Sequence, residues 1–405
     1  MQTKWRILWL LSIAELLAMT LWFSASAVVP QLTTEYALTP TEQSLLTMSV
    51  QFGFVIGALV IALLNLADRY QAHYLIAICT LLGALFNASI ALFEVNIATI
   101  LVLRFLTGAM LAGVYPPAMK VLASWFTAGR GLAIGILVGA LSVGSAGPHL
   151  LNAFPVFGGE TGQPPWRGVL LAVSLLAVVG GFMVLFLVRS GPNFPAASRF
   201  DWRYAGRLFS DPALRYANFG YLGHMWELYA MWTWAPLLLL DSFRNGGIGD
   251  SWGRLAGFLA VAMGGIGSVI AGRLADRRGR TLIASASLLI SGVCCLLAGH
   301  LFDQPWLLLG LCLVWGCAVV ADSAQFSTAI SELCDPRYVG TALTMQTCTG
   351  FLLTTVSIWL LPLIQEHTSR GVAFSLLALG PAFGIWSMWM LRRRPEAVKM
   401  ASGRK

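Results

Sequence analysis

Apolar and polar residues alternate along this chain on a long period. Twelve apolar runs of about 20 residues, near 7–29, 43–64, 74–93, 98–119, 132–152, 169–188, 215–240, 254–275, 281–300, 306–330, 340–363 and 371–391, are separated by short polar connections. At the helical rise, about 20 residues cross the hydrocarbon of a bilayer, so each run predicts a spanning helix. Inside a bilayer the backbone must satisfy its own hydrogen bonds, which leaves helices or a closed barrel. Barrel strands alternate over about ten residues; the run from Ile283 to Leu297 does not alternate. The pattern predicts an all-α integral membrane protein with twelve transmembrane helices.

Composition agrees. Of 405 residues, 57% are apolar and 11% charged, where a soluble domain carries roughly a quarter charged residues. Seven cysteines fall in or at the ends of apolar runs with no metal-ligand companions, so neither a disulfide framework nor a metal site is read. Lys4 and Arg6 followed by an apolar run and Ala25-Ser26-Ala27 resemble a secretory leader. Glu15 interrupts that run, and its length is that of a span, so a retained first helix is expected.

Lys and Arg resist translocation and mark the cytoplasmic side. With both termini inside, that side gathers Arg69, Arg189, Arg203, Arg207, Arg215, Arg273, Arg337 and the tail, while the other keeps Arg167, Arg244, Arg254 and Arg370. The formal charge of +8 then reflects topology and anionic headgroups, not nucleic acid. The longest inner connection holds the stretch Phe200 to Phe209, whose aromatic and basic residues predict a helix lying on the membrane surface. It divides the chain into a six-helix bundle over 1–190, a central cytoplasmic loop over 191–214, a second six-helix bundle over 215–391 and a cytoplasmic tail over 392–405.

The polar connections hold one motif twice. Gly272-Arg273-Leu274-Ala275-Asp276-Arg277-Arg278-Gly279-Arg280 lies between the eighth and ninth runs, and Leu66-Ala67-Asp68-Arg69 between the second and third. A carboxylate there accepts charge-assisted hydrogen bonds from guanidinium groups, and glycine permits a tight turn. Twelve helices in two halves, with this motif doubled at half-chain spacing, resemble the major facilitator superfamily over essentially the whole chain. That family's motif reads roughly Gly-x-Leu-Ala-Asp-Arg-x-Gly-Arg-Arg. The second copy follows it closely, with Thr281 in the last basic position. The first has Leu64 for the leading Gly, Gln71 for the second, and Ala72 and His73 for the basic pair. By resemblance, Asp68, Arg69, Gly272, Asp276, Arg277, Gly279 and Arg280 form a conformational gate. Arg104 to Gly108 resembles the Arg-x-x-x-Gly of the family's fourth helix, associated with proton coupling. Gly135, Gly139, Gly144 and Gly147-Pro148 resemble the antiporter series of the fifth, without its closing Gly-Gly.

The resemblance also implies that helices 1, 4, 7 and 10 line a central cavity. Each carries ionisable residues in mid-span: Glu15, Arg104, His224 with Glu227, and Asp322 with Gln325 one turn on. Buried charge in a bilayer is costly and persists where it faces water or a partner. His224 and Glu227, three residues apart, share a helical face. Glu227 reads either as a proton carrier or substrate ligand, or as a fixed partner of His224 or Arg104. Arg104 either binds an anion or neutralises one of the acids; Asp322 and Glu15 divide similarly between function and pairing. Trp226 and Tyr229 either stack on a substrate or belong to an interfacial belt. His149 and Asn152, closing the fifth run, read as structural.

Zinc-protease, phosphate-loop and nucleophile-elbow patterns do not occur, and an enzyme and a cofactor are not expected. The expectation is a monomeric secondary active transporter of the cell membrane, in the inner membrane of a Gram-negative source. It moves a small organic solute by alternating access and is coupled to protons. Three cavity acids against one arginine favour a neutral or cationic substrate, as in drug-type efflux. The alternatives are uptake of a small anion at Arg104 and a non-transporting receptor or scaffold.

Overall fold

The computed structural model describes residues 2–126, 130–153, 165–192 and 200–404, with the side chains of Gln2, Asp68, Arg130, Gly131 and Pro336 outside the description. The first span is broken. Its first part, α1 (Gln2–Met19), stops before Thr20, and α2 (Val29–Tyr36) resumes after a 3-10 turn over Ser26–Val28. The second, α3 (Pro40–Leu63), opens on a reciprocal cap in which the Glu42 carboxylate accepts from Thr39 N at 2.9 Å and Thr39 Oγ1 accepts from Glu42 N at 3.3 Å. A single turn, α4 (Leu66–Arg69), leads into the third span, α5 (Ala72–Leu92). The fourth is α6 (Ile97–Leu111) and α7 (Tyr115–Trp125), interrupted just before Pro116 and Pro117, which cannot continue the preceding helical bonds. The fifth and sixth are α8 (Arg130–Ala153) and α9 (Trp166–Leu187).

The stretch expected as one surface helix forms two single turns instead, α10 (Trp202–Ala205) and α11 (Arg207–Ser210), parted at Gly206. The seventh span, α12 (Pro212–Asn245), is capped by Asp211, which accepts from Ala213 N and Leu214 N at 2.9 and 3.1 Å. The eighth is α13 (Asp250–Ala262) with α14 (Gly264–Arg278), the ninth α15 (Arg280–Ala298), the tenth α16 (Pro305–Ala321) with α17 (Ser323–Leu333), the eleventh α18 (Val339–His367) and the twelfth α19 (Arg370–Ser375) with α20 (Leu379–Arg392).

Ten of these spans are long and apolar enough to cross a membrane on length and composition alone. The first and seventh fall outside that criterion, and they are the two that carry Glu15 and the His224–Glu227 pair. Both still pack as spans, α1 against α8 and α9, and α12 against α13, α18 and α20. Spans one to six pack among themselves, as do seven to twelve, and the halves meet where α3 lies on α18 and α8 lies on α13 and α14. Small residues set that seam. A Cβ on Gly139 would stand 3.1 Å from Gly265 O, and Ser268 Oγ donates to Gly135 O across the halves at 3.1 Å. Six of the seven cysteines are buried and Cys317 is half-buried; all are unpaired.

Candidate functional site

Aromatic side chains from both halves close on one another at the centre. Trp22 and Phe54 come from the first half, Tyr229 and Phe351 from the second. Ring centroids are 4.5 Å apart for Phe54 and Phe351, 5.0 Å for Tyr229 and Phe351, and 5.7 Å for Trp22 and Tyr229. Phe23 and Trp232 extend the knot at 5.9 Å. Tyr229, expected as a stacking residue, sits in its middle. Trp226 does not: its indole donates to Leu376 O of the twelfth span at 3.4 Å.

Towards the basic face, the one bearing α4 and the α14–α15 turn, lie the acids. Glu15 is 1% exposed, and neither carboxylate oxygen has a hydrogen-bond partner among the described residues. It lies in α1, before the break that carries Trp22, within electrostatic reach of Tyr115 at the start of α7. Across from it, His224 Nδ1 stands 2.8 Å from Asp322 Oδ1, with both side chains 1% exposed. Asp322 occupies the break between α16 and α17, at the N-cap position of α17. Its side chain does not cap the helix, which leaves the carboxylate for His224. Tyr221 and Phe326 flank the imidazole, with ring centroids 6.1 and 5.6 Å away.

The other charged candidates are placed differently from the sequence expectation. Glu227 pairs with neither His224 nor Arg104. It turns into the second half, where it accepts from Ser291 Oγ at 3.0 Å, Cys295 Sγ at 3.2 Å and Trp315 Nε1. Gln325 likewise faces away from the centre and accepts from Arg280 Nη1 at 3.2 Å. Arg104 meets no carboxylate among the described residues. Its Nη1 donates to Leu21 O at 2.9 Å and Ser24 Oγ at 2.7 Å, with Asn87 Oδ1 at 3.2 Å, and its Nη2 donates to Trp22 O. Unwinding the first span after Met19 removes the amide donors that those carbonyls would meet in a helix, and the guanidinium fork replaces them.

The motif at the basic face differs between its two copies. In the second, α14 runs unbroken through Gly272 and Asp276 to Arg278, and the chain turns at Gly279 with φ +97°, a conformation that favours glycine. In the first, α3 ends earlier, the chain turns at Asn65 with φ +53°, and Leu66–Arg69 is a separate turn. Gln71 therefore needs no left-handed backbone. Asp68 lies outside the described side chains, and Arg69 is exposed over Tyr70. Arg280 is held chiefly by Glu332, through two bonds of 2.7 and 2.8 Å, with Asp276 farther at 3.5 Å. Arg277 is exposed. The tail returns to this cluster, where Ala401 N donates to Glu332 Oε2 at 3.1 Å and Arg404 Nη1 to Asp276 O.

Sequence reasoning missed Glu332, Asn87, Trp315 and Tyr115. Glu332 alone carried a signal, being a carboxylate at the otherwise basic end of a span. An open cleft of about 740 Å3 on the opposite face, lined by Asn245, His300, Asp303 and Arg370 among others, includes none of the central residues. Among the described residues no group of three or more His, Cys, Asp or Glu is placed to hold a metal.

Two bundles of six spans, walling one buried polar and aromatic centre between them, define a membrane carrier. Residues 11–358 match the family model described as Major Facilitator Superfamily, and the chain belongs to that family. It is a multi-pass membrane protein and a secondary transporter that works by alternating access. Among solved structures it is similar to the proton:xylose symporter XylE bound to 6-bromo-6-deoxy-D-glucose, with 13% identity, TM-score 0.75, and 96% of this chain and 95% of that one covered. The xylose transporter XylE from E. coli in a partially occluded, inward-open conformation gives 13% identity and TM-score 0.72, covering 96% and 99%. A bacterial homologue of the human lysosomal transporter Spinster, inward-facing and unoccupied, gives 16% identity and TM-score 0.67, covering 96% and 95%. At these identities the likeness speaks for the fold. No curated protein matches by sequence.

Proposed function

We propose that the chain exports a small neutral or cationic organic solute in exchange for protons, with its basic face and both termini in the cytoplasm. The observation that carries this reading is the pairing of charges at the centre. His224 and Asp322 form a contact within one half, while Glu15 in the other half is buried without a partner. A carboxylate held out of water with no counter-charge accommodates either a proton or a cation. The aromatic knot beside it offers ring faces to either a planar or a cationic group.

Arg104 weighs against the anion reading, since its terminal nitrogens are committed to the carbonyls of the first span. The basic-face loop supplies no competing pH sensor at Asp335. The Arg337 side chain and main-chain N–H beside it pull the Asp335 carboxyl down to about 2. The contribution of such a depressed group is complete above the ordinary carboxylate range and lost only as pH falls through about 2. Between pH 5 and 8 it stays constant.

Thermal-shift measurements on the purified protein with tetraphenylphosphonium and with a panel of organic anions test the substrate class. Stabilisation by the cation, lost in Glu15→Gln, is expected; stabilisation by anions that vanishes only in Arg104→Ala overturns it. Proton movement on adding the cation to proteoliposomes tests the coupling. It is expected to disappear in Asp322→Asn while the thermal shift persists, and its survival there removes Asp322 from the coupling site.

A further inference from the structure

The last stretch of the chain folds back over the basic face of the second half. It leaves α20 with the Arg392 guanidinium donating at 3.1 Å to Thr281 Oγ1, in the first turn of α15. Pro395–Gly403 then forms 3-10 turns that lie on α17 and α14, with Ala397 and Met400 fully buried. At its end the Ala401 N–H donates to Glu332 Oε2 at 3.1 Å, the oxygen that also accepts from Arg280 Nε at 2.8 Å. Farther on, Arg404 Nη1 donates to Asp276 O, a carbonyl in the last turn of α14 and so at the negative end of that helix. One stretch thus ties together the ends of the eighth, ninth and tenth spans.

The end of the tenth span is also held from a second side. The Tyr204 hydroxyl, in the central loop, accepts from Asp335 N at 3.2 Å and from Cys334 Sγ at 3.1 Å. The two grips differ in strain. To bring its amide to Glu332, the tail turns through Ala401 and Ser402 at φ +47° and +57°, left-handed backbone that is costly for a residue with a Cβ. What keeps this turn in place is the docking itself: a bond to a carboxylate, a capped carbonyl and two buried side chains. A clasp closed on strain opens more readily than a relaxed one. The segment it closes on is a separate one, since α17 is parted from α16 at Asp322.

We propose that the tail is a strap on the basic-face end of the tenth span. Docked at Glu332, it holds α17 against α14 and α15 and restrains opening on that face; released, it lets α17 move about Asp322. The strap needs neither the solute nor the protons of the exchange reading, so its test is hydrogen–deuterium exchange on the purified full chain in lipid nanodiscs with no solute added. Ala401→Pro removes the amide donor and forbids the left-handed turn. Amides of α17 and of the last turn of α14 are then expected to exchange roughly tenfold faster, the effect of losing one hydrogen bond to a charged group. Ser402→Gly leaves the bonds in place and relieves the backbone, so the same amides are expected to slow roughly threefold. In both variants α16, on the other side of Asp322, is expected to be unchanged. Exchange in α17 that stays constant or shifts the other way in either variant overturns the proposal, and so does a change of equal size in α16, which marks an effect on the whole half. If Ala401→Pro does not fold, Ser402→Gly decides: slower exchange confined to α17 and the end of α14 sustains the strap, and anything else overturns it.

Discussion

Glu227 shows how far a single residue can be read from its type and position. Mid-span carboxylates are rare enough to draw attention, and the spacing to His224 places both on one side of α12. Three residues still separate their directions by about 60°, enough for His224 to reach Asp322 while Glu227 reaches Trp315, Ser291 and Cys295. Which neighbour a side chain meets depends on the rotation of packed helices, which no single segment encodes. Glu227 consequently works as an acceptor hub for three donors of the second half. Glu227→Ala should lower the thermal midpoint of the purified protein markedly, with about 1–3 kcal/mol for each buried donor left unpaired. Glu227→Gln keeps a carbonyl for Trp315 and should stay close to wild type. If Glu227→Gln instead abolishes proton coupling at unchanged stability, the carboxylate belongs to the transport chemistry after all.

The helices themselves were legible because their apolar length is a direct consequence of bilayer thickness. Their interruptions were less so. Pro116 and Pro117 announce the break in the fourth span, but no proline or glycine marks Thr20 to Ala25 or Asp322. The break in the first span is sustained from outside by Arg104, which supplies donors to Leu21 O and Trp22 O. Removing the guanidinium should therefore act on α1 and the turn after it more than on α6, where Arg104 resides. Hydrogen exchange over residues 20–28 in Arg104→Ala is expected to rise at least tenfold, on the scale of one to two lost bonds to a charged donor, while exchange in α9 stays unchanged. Arg104→Lys, whose compact ammonium lacks the planar fork, should fall between. Equal rises in both regions would mean that Arg104 stabilises the whole half and not the break.

At the scale of the molecule, the doubled motif identified the two halves, and its asymmetry proved to be one of backbone as well as of side chains. The second copy turns at Gly279 and the first at Asn65, so the two basic-face connections are different structures built at equivalent places. Arg280, one of the residues expected to form the gate, is held more by a residue the motif does not contain. Glu332 holds Arg280 by both carboxylate oxygens and receives the tail at Ala401, whereas Asp276 is 3.5 Å from Arg280 and partly exposed. Glu332→Gln should accordingly lower transport in proteoliposomes by about tenfold, the worth of one bidentate charged pair reduced to neutral bonds. Asp276→Asn should lower it less, and the reverse order would return the principal role to the motif carboxylate.

The burial of the thiols has a practical side. Sulfur reacts as thiolate and only where reagent reaches it, so five of the six buried cysteines form a quiet background for site-directed labelling. Cys348 is the informative exception in waiting. Its Sγ lies 3.8 Å from Val55 O, between α18 and α3, so maleimide modification there reports each separation of the halves in the unmutated protein.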